Sequence, residues 1–154
     1  MKKANIAIHI SKVGDKIPIF DSALQVLSNG YTGKGDNNDS IVTYGNFYHT
    51  KFLFTGDLEQ EGEKELLKNY PKLKVDVLKV GHHGSKTSSN PDFIKEINPK
   101  LALISVGEKN RYGHPNQETL ETLKKNQIRI LRTDQKGALK LMQINQQWRI
   151  QTVR

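Results

Sequence analysis

The 154-residue sequence contains no cysteine. That excludes disulfide frameworks, thiolate metal sites and cysteine nucleophiles, and it makes the chain indifferent to redox compartment. Any metal must be held by histidine and carboxylate side chains. Long apolar runs are also missing: nothing approaches the roughly 18 to 20 residues that cross a bilayer. Met1-Lys2-Lys3 is not followed by a hydrophobic stretch long enough for a signal peptide. The chain taken alone is therefore expected to be soluble and cytoplasmic. Negative charge is the other shortage, with 16 acidic against 24 basic side chains and a formal charge of +8. Such an excess attracts phosphate backbones or anionic surfaces at ordinary ionic strength.

The apolar fraction, 35%, and the five Phe and five Tyr spread along the chain exclude disorder. This length suits one domain over residues 1–154, burying about 70% of its unfolded-chain surface. Residues 5 to 10, 16 to 19 and 23 to 27 alternate like short strands, and the Gly/Asn/Asp-rich run from Ser28 to Asp39 reads as a loop. Its glycines lack the order of a phosphate-gripping P-loop, which argues against a nucleoside triphosphatase. Ile41 to Tyr44 and Phe52 to Phe54 predict a hairpin turning through Gly45-Asn46. Helices are predicted over Glu61 to Asn69, Asp92 to Ile97 and Pro115 to Asn126, the second started by Ser88-Ser89-Asn90-Pro91 with an N-cap candidate and a proline in the first turn. Strands Val75 to Val80, Leu101 to Val106 and Ile128 to Leu131 alternate with them. A terminal hairpin joins Ala138 to Ile144 and Trp148 to Val153 around Asn145-Gln146-Gln147. The pattern is that of an α/β layered domain.

Three loops, each after an apolar strand and before a helix, carry the reactive side chains: Asp57, then His82 and His83, then His114. If those strands are parallel, the side chains converge at one sheet edge, where ligands of α/β sheets bind. An Asp and several imidazoles without a thiol suit a divalent metal such as zinc or manganese. Taken singly, Asp57 reads as a helix cap and His114 as a turn residue, whereas adjacent imidazoles between Gly81 and Gly84 have no packing rationale. His9, within a strand, and His49, in a hairpin turn, read as structural. The segment from Gly84 to Asn90 adds hydroxyls, Lys86 and a helix start that favours an anion. Metal ligands beside a phosphate cradle point to phosphoester hydrolysis.

Asn38-Asp39-Ser40-Ile41-Val42, Phe54-Thr55-Gly56-Asp57-Leu58-Glu59, Asp76 to Ser88 with its Gly81-His82-His83-Gly84-Ser85-Lys86 centre, Ser105-Val106-Gly107, Asn110-Arg111-Tyr112-Gly113-His114-Pro115 and Arg132-Thr133-Asp134 occur in this order. Together, over about residues 12 to 144, they resemble the metallo-β-lactamase-like domain of ComEC-type DNA-internalisation competence proteins. The resemblance implies an αββα sandwich with a divalent metal, Zn or Mn, at the strand ends. It implies that Asp57, His82 and His83 meet metal, His83 as a ligand and His82 at metal or phosphate. Asp57, His82 and His114 would be the catalytic set, and Ser85, Lys86, Ser88, Asn110 and His114 would contact substrate. The implied activity is a nuclease that degrades the DNA strand not imported, through metal-activated water, at the DNA-uptake channel of a membrane-associated full-length protein. The HxHxDH-type motif of that fold does not occur in this chain, and residues 1 to 11 contain only His9. The expectation is accordingly a domain truncated on its N-terminal side. The alternative is a non-catalytic DNA-binding or structural remnant.

Overall fold

The structure is a computed structural model that describes residues 10–145 and 147–153. The strand expected over residues 5 to 10 falls, apart from Ile10, outside the described residues, as does His9. Strands β1 (Lys16–Ile19), β2 (Ser22–Asn29), β3 (Ile41–Phe47), β4 (Thr50–Phe54), β5 (Val77–Lys79), β6 (Leu101–Ile104) and β7 (Arg129–Arg132) form one seven-stranded sheet in sequence order. The first four pair antiparallel and β4 to β7 pair parallel. Parallel neighbours need crossovers, supplied by α1 (Gln60–Asn69), α2 (Pro91–Ile97) and α3 (Gln117–Lys125). Three crossovers of the same hand that each step one strand onward fall on the same face of the sheet. The helices accordingly share one core with Leu53, Leu78, Val80, Ala102 and Ile104 of the strand segments, through Leu66, Phe93, Ile94, Ile97, Leu120 and Leu123. This is the mixed α/β architecture expected, with a large sheet under a helical layer.

The period-2 alternation sends Phe52, Phe54 and Val77 to the opposite face. There the hairpin β8 (Ala138–Ile144) and β9 (Gln147–Val153) contributes Trp148, whose ring lies 5.5 Å from that of Phe52 and whose indole N–H donates to Thr50 Oγ1 at 2.5 Å.

Some boundaries differ from expectation for local reasons. The β3–β4 turn lies at Tyr48-His49, both with positive φ, and Gly45 sits inside β3 because the Phe47 ring leaves no room for a Cβ there (2.4 Å). Helix α3 begins at Gln117, two residues after Pro115, since the 107–116 loop continues through Asn116. A short helix α4 (Thr133–Lys136), unforeseen in the sequence, follows β7. Asn90 does cap α2, accepting the Asp92 N–H at 2.9 Å. Helix α1 is capped from a distance: buried Asn38 Oδ1 accepts the N–H groups of Glu59 and Gly62, each at 3.1 Å, and so binds the 30–39 loop to the helix start. Asp39 organises that loop. Its carboxylate accepts the N–H groups of Thr32, Gly33 and Gly35, and the amides of Gly33 and Gly35 above all hold its pKa down at about 2.

Candidate functional site

Strands β4, β5 and β6 run parallel in register, with Phe54 opposite Lys79 and Lys79 opposite Leu103, so the loops after them leave the same sheet edge. Asp57, His82, His83 and His114 are brought together there. Asp57 is not the cap of α1, a position held by Glu59. Instead its N–H donates to Ser40 Oγ at 3.0 Å, which fixes the turn at Gly56.

The two histidines occupy a left-handed turn, with φ of 44° at His82, 55° at His83 and 83° at Gly84. Successive non-glycine residues in this region are strained and persist only where packing dictates them. The packing is visible on both sides. A Cβ on Gly81 would stand 2.8 Å from the Leu58 carbonyl oxygen, and one on Gly84 would stand 2.5 Å from Pro115 Cβ. The glycines thus pin the turn between Leu58, ahead of α1, and the 107–116 loop, and the imidazoles are thrown to opposite partners.

His83 Nδ1 lies 2.7 Å from the carbonyl oxygen of Ser105, which only accepts, so Nδ1 carries the proton. In the neutral ring Nε2 is then a bare lone pair, and it faces Asp57 Oδ1 at 3.8 Å with both side chains about half exposed. Two acceptors facing each other form an arrangement completed by a cation or by a second proton on the ring. Next to Asp57 in sequence, the Gly56 carbonyl oxygen accepts from Lys79 of β5 at 3.3 Å. Burial lowers the Lys79 pKa, while the charge of Asp57 works in the opposite direction.

His82 turns the other way. Its Nδ1 is 3.3 Å from Glu59 Oε1, an oxygen that also accepts from Thr87 Oγ1 at 2.8 Å and Asn37 Nδ2 at 3.0 Å. Burial pushes the Glu59 carboxyl up, but the bonds from Asn37 and Thr87 and the adjacent imidazole outweigh it, so its pKa is lowered. The His82 and His114 rings meet edge-on, 5.7 Å apart, and Tyr112 lies nearly parallel to His114 at 5.9 Å, 80% exposed.

The remaining predicted residues have structural partners. Ser88 is buried, its hydroxyl 3.0 Å from the carbonyl oxygens of both Gly81 and Ser85. Ser85 is buried with its hydroxyl 3.0 Å from Thr87 Oγ1. Asn110 spans the 107–114 loop, donating to the carbonyl oxygens of Gly107 and His114 and accepting the His114 N–H. Lys86 is exposed, and its N–H donates to Asn116 Oδ1. Glu59, Thr87, Asn37 and Lys79 belong to the site without having been singled out. Glu59 lies within a recognised sequence block, but nothing in the block tells which imidazole it meets.

The donor chemistry of Asp57 and His83 suits a divalent metal at two positions. Among the described residues, however, no group of three or more His, Asp or Glu side chains is placed to hold a metal ion. Two donors fall short of the three or four protein ligands usual for such a centre.

Residues 5–108 match the family model of the metallo-beta-lactamase superfamily. The chain is similar to ComE operon protein 3 of Bacillus subtilis (strain 168), 44% identical over 139 residues that make up 90% of this chain and 18% of that protein. It is also similar to Competence protein ComA of Neisseria gonorrhoeae, 39% identical over 68% of this chain and 15% of that protein. Recombination protein 2 of Haemophilus influenzae is 30% identical over 84% of this chain and 16% of that protein. The chain therefore spans less than a fifth of the length of these relatives. No helix among the described residues is long and apolar enough to cross a membrane. The matched family model, covering two thirds of the sequence, together with the sheet-and-helix architecture and the strand-end cluster, shows that the chain belongs to the metallo-beta-lactamase superfamily.

Proposed function

We propose that this chain carries part of a metal-dependent phosphodiesterase site that acts on DNA during competence, beside the DNA-uptake channel of a longer protein. The observation that carries the reading is the opposition of two lone-pair donors, His83 Nε2 and Asp57 Oδ1, at 3.8 Å, with the His83 tautomer set by Ser105. The donors are nitrogen and oxygen in a chain without thiols, which suits zinc or manganese. Further ligands would come from outside the described residues. The names of the relatives that speak of competence and recombination support DNA as the substrate class. So do the +8 charge and the exposed ring of Tyr112 beside His114, because nucleic acid is held by basic charge and by aromatic faces.

In this reading Asp57 and His83 hold the cation, and Lys79 offsets the carboxylate charge at its base. His82 and His114, edge-on to each other, serve the substrate phosphate, and the exposed Lys86 attracts the backbone. A second reading, DNA binding without cleavage, is favoured by the lack of a three-ligand group among the described residues.

Calorimetric titration of the purified chain with Mn²⁺ and Zn²⁺, with a nuclease assay in parallel, separates the two. Metal binding that is lost in both His83→Ala and Asp57→Ala, with metal-dependent cleavage, is expected. Absence of metal binding, or binding indifferent to both substitutions, overturns the first reading. Salt-dependent DNA binding that survives His83→Ala then establishes the second.

A further inference from the structure

The two adjacent imidazoles are held by different devices, and only one of them belongs to the donor pair described above. Glu59 Oε1 accepts from Thr87 Oγ1 at 2.8 Å and Asn37 Nδ2 at 3.0 Å, and it faces His82 Nδ1 as an ion-pair contact at 3.3 Å. An ionised carboxylate only accepts, so at that distance it repels a bare Nδ1 lone pair and favours the proton on Nδ1. The other neighbours of Nδ1 are worse partners. Thr87 Oγ1 is 3.5 Å away and gives its hydroxyl proton to Glu59, while Asn37 Nδ2, 3.4 Å away, gives one hydrogen to Glu59 and could give its second to Nδ1 only over that longer distance. A bond to a charged acceptor outweighs a long contact with a neutral amide.

The carboxylate is itself immobilised. Glu59 lies at the N-cap of α1, its N–H is tied to Asn38, and the next residue, Gln60, binds the same loop through its N–H to the Thr87 carbonyl oxygen at 2.8 Å. The helix start and the histidine loop are thus one hydrogen-bonded unit, and the Glu59 oxygen stands where the His82 ring must present Nδ1.

We infer that Glu59 is a positioning residue that locks His82 in the Nδ1–H tautomer and leaves its Nε2 bare as an acceptor. His83, held by the Ser105 carbonyl oxygen, carries the same tautomer from a different source, so neighbouring rings present two unprotonated Nε2 atoms. A bare imidazole nitrogen of this kind is what a ligand or general base requires, and a carboxylate on the other nitrogen is the usual means of fixing it. This inference deepens the phosphodiesterase reading and rests on it for its purpose, whereas its test needs neither metal nor substrate.

The measurement is ¹⁵N NMR of the histidine rings in the uniformly labelled full chain, without added metal, at pH about 8.5, where a free imidazole is neutral. The His82 signals are assigned by their loss in His82→Asn. The expected result is His82 with Nδ1 protonated and Nε2 bare. In Glu59→Gln, which keeps the shape, the Nδ1–H fraction should fall, and in Glu59→Ala it should fall further, while His83 remains Nδ1–H in both as an internal control. An Nε2–H tautomer at His82 in the unsubstituted chain overturns the inference. So does an Nδ1–H fraction unchanged in whichever of the two variants folds. Failure of metal binding or cleavage would count against the phosphodiesterase reading and leave the tautomer result standing.

Discussion

Glu63 offers a stability prediction whose sign follows from burial. It lies in the first turn of α1 with 1% of its surface exposed, and its carboxylate accepts the N–H groups of Ser89 at 2.6 Å and Asn90 at 2.7 Å. It therefore ties the first helix to the end of the histidine loop. Desolvation raises its pKa from 4.5 to about 7, more than the Asn90 and Ser89 amides lower it. A folded-state pKa above the unfolded value means that the folded protein binds the proton more tightly. The contribution to stability is then fully present below pH 4.5 and is lost as pH rises through about 7. At about 1.4 kcal/mol per unit, the ceiling of the effect is about 3 kcal/mol. Glu63→Gln removes the titration; because its amide nitrogen cannot accept the second backbone N–H, it also loses one bond, a cost that does not change with pH. Urea unfolding at pH 4 and pH 8 should show the Gln variant gaining on the original protein by up to about 3 kcal/mol between the two, on top of a constant offset for the lost bond. Parallel profiles would refute the reasoning. So would an original protein that gains on the variant as pH rises, since the two amides would then outweigh burial and hold the carboxylate ionised.

The same loop yields a second prediction. Gly84→Ala places a Cβ at a φ of 83° and 2.5 Å from Pro115 Cβ, so a loss of about 2 to 4 kcal/mol is expected from left-handed strain and overpacking together. A urea midpoint unchanged from the parent would show that the turn is not pinned as described. For the hairpin, Trp148 is the single tryptophan and bonds Thr50 Oγ1. Thr50→Val should cost about 1 kcal/mol and shift the tryptophan emission, and identical emission and stability would show that the indole bond does not dock β9.

Much of the frame was legible along the chain. The crossover helices follow from the Glu/Lys/Leu run after Asp57, the Asn90-Pro91 start and Leu120 with Leu123, all of them local signals with a 3.6-residue period or a cap. The placement of Asp57, His82, His83 and His114 at one edge also followed, because parallel strands joined by helices must end together. The turn at Tyr48-His49 was not legible, since Gly45-Asn46 carries the stronger local turn signal. What places Gly45 within the strand is the ring of Phe47 and the register with Phe52.

The sequence by itself determined the chemistry open to this protein: nitrogen and oxygen donors without sulfur, a basic surface, and reactive residues at strand ends. Tertiary structure alone decided which atoms face which. Leu58 and Pro115 crowd the glycines on either side of the histidine pair, and that packing sends His83 to Ser105 and Asp57 and His82 to Glu59. It also turned Ser85 and Ser88, which look like phosphate contacts in the sequence, into buried supports of the loop. A residue's type is written locally, but the direction of its side chain in a strained turn is set by neighbours tens of positions away, and that direction separates a donor pair from a hydrogen-bonded scaffold.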